Sequence, residues 1–171
     1  RPSMPLGLAY IAAVLEQAGH EVSVIDAVAE APDRVTQDGH LHRLGLGPDE
    51  IVARVKPDTQ VLCVTNMWTF SWPLVRRILV ALKAARPDVI LVCGGEHFTG
   101  LPELSMKDAP IDYIVLGEGE ETVAELMKKL EHGERDPGTM AGVAFRRDGA
   151  VVINERRARV RTVDELPWPA W

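Results

Sequence analysis

Short apolar runs alternate along this chain with segments of helical periodicity. The runs that read as buried strands occupy residues 21–27, 61–65, 89–93 and 112–116. The segments that read as helices occupy residues 5–18, 48–55, 73–85, 101–107 and 120–131. This alternation predicts an α/β fold with a doubly wound, Rossmann-like or flavodoxin-like parallel sheet and right-handed crossovers.

One strand of such a sheet is missing from the pattern. Only four strands alternate with helices, and the chain opens directly on a helix. We therefore expect the first, central strand to precede Arg1. Residues 28–47 form an irregular stretch that is too long for an ordinary connection, and long loops at a ligand edge are commonly functional.

The period changes near the end of the chain. Residues 142–147 and 150–155 flank Asp148-Gly149, a dipeptide typical of tight hairpin turns. A polar, proline-rich segment follows. We expect an α/β domain over residues 1–133, and a small β-hairpin extension with a linker towards a further domain over residues 134–171.

Composition excludes several classes of function. The chain has 171 residues, with 19 Lys and Arg against 25 Asp and Glu, so its net charge of -6 disfavours nucleic acid as a partner. The single basic stretch, residues 156–161, is interpreted as a solvated strand or linker. No membrane span or signal sequence is visible, which predicts a cytoplasmic protein. Cys63 and Cys93 lie in predicted strands and are interpreted as small hydrophobic residues.

Glycines and polar residues follow two consecutive predicted strands. Gly94-Gly95-Glu96-His97 ends one strand, and Gly117-Glu118-Gly119 ends the next. Such glycines let a backbone approach a ligand closely, at the edge where open α/β sheets bind their ligands. The alternative is that they make tight turns, with His97 on the surface and the acids stabilising a helix N-terminus. The acids would repel phosphate, and no Walker or dinucleotide fingerprint occurs, so a neutral or amide-rich ligand fits better.

Hydroxyls and aromatic rings follow a third predicted strand. Thr65, Asn66 and Thr69 stand among Trp68, Phe70 and Trp72. The hydroxyls could bind a heterocycle while the rings form a pocket wall. Alternatively, the rings only cover the edge of the sheet.

Residues 38–43, Asp-Gly-His-Leu-His-Arg, contain a His-x-His pair that could chelate a metal. Metal sites need three or four ligands, and no matching cluster occurs elsewhere in the sequence. We interpret the stretch as a polar loop. No nucleophile elbow or Cys-His pairing is visible, so we predict neither a catalytic residue nor a metal ligand.

Four motifs together resemble the N-terminal cobalamin-binding domain of cobalamin-dependent radical SAM enzymes. They are residues 5–22, residues 94–97, residues 116–121 and the terminal Leu166-Pro-Trp-Pro-Ala-Trp171. They occur in the family's order, and the resemblance covers essentially the whole chain.

The resemblance implies that the corrin lies on the carboxyl edge of the sheet and that the nucleotide tail enters between the central strands. The first loop would flank the cofactor, and the three strand ends would line its tail or corrin. Carried over by position, the cofactor-binding residues are Pro5, Leu6, Gly7, Thr65, Asn66, Thr69, Gly94, Gly95, Glu96, His97, Gly117, Glu118 and Gly119.

Two departures qualify the resemblance. Methionine-synthase-type domains carry Asp-x-His-x-x-Gly after the first strand, with the His on cobalt. Here Arg43 stands at the Gly position, and the stretch follows the second strand of the fold. We therefore expect cobalt without a protein His ligand. The family's three-cysteine cluster motif is also absent, which places the 4Fe-4S cluster and S-adenosylmethionine in a C-terminal radical SAM domain beyond Trp171.

For the whole protein the resemblance implies methyl transfer to an unactivated carbon, although some relatives catalyse ring closure or rearrangement. This chain alone is expected to be non-catalytic. The alternative is a non-catalytic module, either a corrinoid carrier or a flavodoxin-like ligand-binding domain.

Overall fold

The computed structural model describes residues 5–159 and 162–170. Its helices are α1 (Leu6–Gln17), α2 (Pro48–Arg54), α3 (Trp72–Ala85), α4 (Glu96–Gly100), α5 (Pro102–Asp108) and α6 (Glu120–Glu131). Its strands are β1 (Val35–Asp38), β2 (Leu41–Leu44), β3 (Val61–Thr65), β4 (Ile90–Gly94), β5 (Tyr113–Val115), β6 (Val143–Arg147) and β7 (Ala150–Ile153).

The main sheet has the order β3-β4-β5-β6-β7. Strands β3, β4 and β5 are parallel, whereas β6 and β7 run antiparallel. The predicted hairpin is confirmed, and it continues the sheet because Val143–Arg147 pairs with β5. The sheet is therefore mixed, and the predicted boundary at residues 133 and 134 separates strands that share it.

Helices cover both faces of the sheet, as a doubly wound fold requires. Alternate residues of β4 enter the two cores, since successive side chains of a strand point to opposite faces. Ile90 and Val92 pack with residues of α1 and α6, and Leu91 and Cys93 pack with residues of α2, α3 and α5. The doubly wound α/β architecture is thus confirmed.

Residues 21–27, predicted as a strand, are not a strand. Within the described part of the chain, no segment forms a ladder with them. Val24 is accordingly exposed. A strand forms only where its backbone N–H and C=O groups find hydrogen-bond partners on a neighbouring strand. The alternation of apolar and polar side chains in residues 21–27 does not provide such a neighbour.

Residues 28–47, predicted as irregular, contain the antiparallel ribbon β1–β2. Gly39 takes a positive φ of 61° in its two-residue turn, which glycine adopts readily. The side chain of Asp38 accepts a hydrogen bond from Arg77 Nη1 at 2.8 Å and lies 3.7 Å from the Arg43 guanidinium. The hydrogen bond from Arg77, a residue of α3, lowers the pKa of Asp38. The same contact attaches the ribbon to α3.

No helix in the described ranges is both long and apolar enough to cross a membrane. The last residue of the terminal motif, Trp171, lies outside the described residues. The part of that motif that is described returns to the first helix, where the Ala170 N–H donates to the Ala9 carbonyl oxygen at 3.0 Å.

Candidate functional site

A cleft of about 200 Å³ opens at the carboxyl edge of the parallel strands, beside the first helix. The ends of β3, β4 and β5 form its floor, and α1 and the start of α6 form its sides. Its lining consists of Gly7, Leu8, Ile11, Cys63, Val64, Thr65, Met67, Val92, Cys93, Gly94, Gly95, Glu96, Val115, Gly117, Glu118, Gly119, Glu120 and Val123.

The sequence-predicted residues divide into two groups. Eight of them line the cleft: Gly7, Thr65, Gly94, Gly95, Glu96, Gly117, Glu118 and Gly119. Five lie outside the lining: Pro5, Leu6, Asn66, Thr69 and His97. The carboxyl ends of three strands therefore meet in one cleft.

The cleft glycines serve different purposes. At Gly95, with φ at 102°, an added Cβ would lie 2.7 Å from the Asn66 carbonyl oxygen, so the loop after β4 requires glycine there. At Gly7 no atom lies within 4 Å of an added Cβ, and the φ is not in the left-handed region. Gly7 thus leaves free space at the cleft side of α1, whereas Gly95 lets two backbone segments touch.

Backbone hydrogen bonds join the loops after β3 and β4. The Asn66 N–H donates to the Gly94 carbonyl oxygen at 3.0 Å, and the His97 N–H donates to the Asn66 carbonyl oxygen at 3.2 Å. Because these hydrogen bonds join the two loops, the two strand ends form one continuous floor.

His97 supports this floor from behind. Its side chain is 2% exposed and stacks on Trp72, with ring centroids 4.8 Å apart. Ser105 Oγ donates to the Leu101 carbonyl oxygen at 2.7 Å, so it accepts from His97 Nε2 at 3.3 Å. Nδ1 is then the acceptor for the Thr69 hydroxyl at 3.2 Å. Burial lowers the pKa of His97, consistent with a neutral ring whose two nitrogens are both engaged within the protein.

Asn66 is buried at the end of β3, with 4% of its surface exposed. Its Oδ1 accepts a hydrogen bond from Ser71 Oγ at 2.6 Å. Its Nδ2 is buried and has no hydrogen-bond partner. A buried donor without an acceptor is unfavourable by about 1–3 kcal/mol, and because Asn66 lies outside the cleft lining this penalty falls within the protein.

The aromatic residues after β3 also divide. Trp72 is buried against His97 and Phe98. Trp68 and Phe70 are 65% and 73% exposed and stack on each other with centroids 6.3 Å apart. Trp72 therefore covers the edge of the sheet. Trp68 and Phe70 lie close in sequence to Met67, which lines the cleft.

The family model for the B12 binding domain matches residues 2–127. The chain belongs to the B12-binding domain family.

Curated relatives are longer than this domain. The chain is 31% identical over 198 residues to cytidylyl-2-hydroxyethylphosphonate methyltransferase of Streptomyces wedmorensis, covering 100% of itself and 36% of that protein. It is 35% identical over 154 residues to anaerobic magnesium-protoporphyrin IX monomethyl ester cyclase of Synechocystis sp., covering 86% and 27%. The chain thus spans about a third of the length of such relatives.

Solved structures share the fold. The cobalamin-dependent S-adenosylmethionine radical enzyme OxsB, with aqua-cobalamin and S-adenosylmethionine bound, aligns with a TM-score of 0.73 at 21% identity, over 99% of this chain and 22% of that one. The radical S-adenosylmethionine methyltransferase TsrM of Kitasatospora setae, with cobalamin and a [4Fe-4S] cluster bound, aligns with a TM-score of 0.68 at 23% identity, over 99% and 29%.

Sequence reasoning missed the apolar walls of this B12-binding domain. Leu8 and Ile11 come from α1, and Val92, Val115 and Val123 come from β4, β5 and α6. Their apolar periodicity identified them only as core residues. Cys93 belongs to the same wall, and burial raises the pKa of its thiol well above the usual value, so it stays neutral.

The charged side chains of the described cleft lining are all carboxylates. The lining, taken over the described residues, contains Glu96, Glu118 and Glu120 but neither Lys nor Arg. Clefts that bind nucleoside triphosphates generally present cationic groups, whereas the described lining of this cleft presents carboxylates. In the described part of the chain, no group of three or more His, Cys, Asp and Glu side chains is placed to hold a metal ion.

Proposed function

We propose that this domain holds cobalamin with the nucleotide tail in the cleft and the corrin over its rim. The observation that carries the proposal is that the glycine-rich ends of β4 and β5 and the open space at Gly7 of α1 meet in one cleft. A cleft of about 200 Å³ is narrow for a whole cofactor and suits a slender part of one.

The residues present suit an amide-rich, neutral ligand surface. Thr65 supplies a hydroxyl and Glu96 supplies a carboxylate within the lining. Val92, Val115 and Ile11 supply an apolar wall for a flat heterocycle. No side chain projects from the floor at Gly94, Gly95 and Gly117, so the ligand can approach the backbone closely there.

The roles of the remaining predicted residues follow from their positions. Thr69 and His97 do not line the cleft. They form a hydrogen bond with each other and support the cleft floor from the side facing away from the cleft. His40 and His42 lie on the β1–β2 ribbon, also outside the lining. No histidine of the described residues lines the cleft, so we propose that cobalt has no histidine ligand from them.

For the whole protein we propose a cobalamin-dependent radical SAM enzyme, in first place a methyltransferase. The relatives include both a methyltransferase and a cyclase, and the methyltransferase matches the whole chain, so methyl transfer is the favoured version. Cobalamin, when bound, supplies the methyl group. S-adenosylmethionine and the 4Fe-4S cluster belong to a C-terminal domain of the same polypeptide, the protein is cytoplasmic, and nucleic acid is not a partner.

The alternative is a corrinoid carrier or a flavodoxin-like module without chemistry of its own. Three cysteines at cluster spacing, in sequence beyond Trp171, would favour the enzyme over the carrier. A flavin-binding module would instead bind flavin mononucleotide and leave hydroxocobalamin unbound.

The deciding experiment is a visible-absorbance titration of the chain with hydroxocobalamin, comparing wild type with Gly7→Trp. Gly7 lies within α1 and faces open space, so the indole fills the cleft without straining the backbone. Replacing glycine within a helix also improves helix propensity by roughly 0.5 kcal/mol. We expect saturable binding by wild type and at least about 10-fold weaker binding by the variant, since the indole occupies the volume that the ligand needs.

Gly100→Trp is the matched control. Gly100 also faces open space with an unstrained φ, and it does not line the cleft. It should bind as wild type does. A folded wild-type chain that fails to bind hydroxocobalamin would overturn the proposal. An equal loss of affinity in both tryptophan variants would show that the cofactor does not bind in the cleft.

A further inference from the structure

Thr99 connects three segments around the cleft, although it does not line the cleft itself. Its side chain is largely buried, in the short helix α4 that follows the Gly94-Gly95 floor. Its N–H donates to the Gly95 carbonyl oxygen at 3.0 Å, and its Oγ1 accepts from the Gly117 N–H at 2.9 Å. Its carbonyl oxygen accepts from Arg156 Nη2 at 3.3 Å.

The Gly117 hydrogen bond lies where the sheet stops ordering the backbone. The preceding N–H, of Leu116, still donates at 2.8 Å to the carbonyl oxygen of Gly142, the residue just before β6. One residue later the chain leaves the sheet, with Gly117 at a φ of 74°. Thr99 Oγ1 is the acceptor that receives the next N–H, so it fixes where the 117–119 loop begins.

The loop so fixed forms part of the cleft. Gly117, Glu118 and Gly119 all line it, and Gly119 packs so closely that an added Cβ would lie 3.2 Å from Ile11 Cδ1. Loss of the Thr99 hydroxyl would leave a part-buried N–H without its acceptor and free the loop to turn. The change would reach the ligand without removing any group that touches it.

The segment after β7 reinforces the same connection. Arg157 donates to Thr122 Oγ1 at 3.1 Å and pairs with Glu121 and Glu125 on α6, directly after the loop. The basic stretch that the sequence suggested to be solvated is therefore fastened, at Arg156 and Arg157, to both sides of the 117–119 loop.

We propose that Thr99 is a positioning residue for cobalamin binding, whose hydroxyl joins the Gly94-Gly95 floor to the 117–119 loop. This inference rests on the proposed function. The inference is that the Thr99 hydroxyl contributes to the affinity for cobalamin independently of the packing of the side chain.

The test compares Thr99→Val, which removes the hydroxyl at nearly constant shape, with Thr99→Ser, which keeps it. Hydroxocobalamin affinity of the 171-residue chain is measured by visible absorbance. We expect Thr99→Val to bind about 5- to 20-fold more weakly, the range for one hydrogen bond that orders a loop. Thr99→Ser should bind within about 2-fold of wild type. Thr36→Val, in the β1–β2 ribbon away from the cleft, is the control and should bind as wild type does.

A second readout reports on the loop without the ligand. Amide hydrogen exchange of Gly117 should be faster in Thr99→Val and unchanged in Thr99→Ser, because only the valine variant lacks an acceptor. Equal affinity of the valine variant and wild type would overturn the inference. So would equal weakening in both variants, since that pattern indicates packing rather than the hydroxyl. A wild-type chain that does not bind contradicts the proposed function instead, and the exchange rates still show whether the hydrogen bond exists.

Discussion

At the scale of single residues, His97 holds the cleft floor only while it is neutral. Nδ1 accepts a hydrogen bond from Thr69, and a protonated ring would have a donor at that position. The ring is also closed in by Trp72 and Phe98. Protonation would therefore remove one hydrogen bond and place a charge among aromatic rings.

Stability should fall as the pH is lowered through the range where this residue titrates. Burial puts the pKa of folded His97 below its unfolded value of about 6.5, so the unfolded state takes up the proton first. The stabilisation is fully present above about pH 6.5 and is lost progressively below it. Urea unfolding at pH 7.5, 6.5 and 5.5 should show this decline in wild type and a flatter profile in His97→Gln.

Exposed His42 provides the comparison, since His42→Gln should keep the wild-type pH profile. The carboxylates with lowered pKa values, such as Asp38 and Glu50, titrate below this window. An unchanged decline in His97→Gln would mean that another group causes it.

The sequence predicted which residues gather at the cleft better than what each one does. Apolar runs followed by glycine placed Gly95 and Gly117 at strand ends, and both line the cleft. It could not show that Gly95 is required by the Asn66 carbonyl oxygen, because that contact joins different loops. Thr99 carried no sequence signal, since its partner Gly117 is 18 residues away. His97 looked available to a ligand because nothing local indicated Trp72 above its ring.

At the scale of secondary-structure elements, two Asp-Gly dipeptides make two different turns. Asp148 and Gly149 have φ of 51° and 80°, the two positive values of a type I′ turn. In the β1–β2 turn the positive φ belongs to Gly39, and no positive value occurs at His40. The β6–β7 hairpin was predicted because apolar residues flank its turn. The β1–β2 hairpin was missed because the polar residues Thr36, Gln37 and His42 obscure the strand pattern.

Gly149→Val should destabilise the chain by about 1–3 kcal/mol, because a β-branched residue is strained at this positive φ. The whole sheet should respond, since β6 contributes buried Val143 and Phe145 to the core. Asp148→Asn is the control and should stay within about 0.5 kcal/mol, as asparagine suits the same turn position. Urea unfolding measures both variants. Wild-type stability in Gly149→Val would show that the turn rearranges without loss.

Residues 21–27 show the limit of a local pattern. Val22, Val24 and Ile25 resemble a strand, yet Val22 packs only partly against the α1–α6 core and Val24 is exposed. A periodic sequence indicates a preference for extended backbone. Whether a strand forms depends on a neighbour that the local sequence does not contain.

At the scale of the whole molecule, β3 has one partnered edge. It pairs with β4 in parallel, and on its other side no strand lies among residues 5–159 and 162–170. Cys63 and Thr65 are exposed as a result, although an apolar strand such as 61–65 is typical of a sheet interior. An open edge of this kind is prone to pair with other chains.

The central strand predicted before Arg1 would fill this edge, and it stays a prediction. A chain that carries additional native residues before Arg1 should then melt roughly 5–10 °C higher, because a paired strand contributes a few kcal/mol in a domain of this size. Amide exchange along β3 should slow in the same chain, since its outward N–H groups gain acceptors. An extension of equal length in scrambled order is the control and should change neither quantity. Slower exchange with the native extension alone would show that a strand has joined the sheet beside the cleft, where Thr65 and Cys63 would gain a neighbour. The same melting temperature and exchange in both chains would mean that β3 is a true edge of this fold.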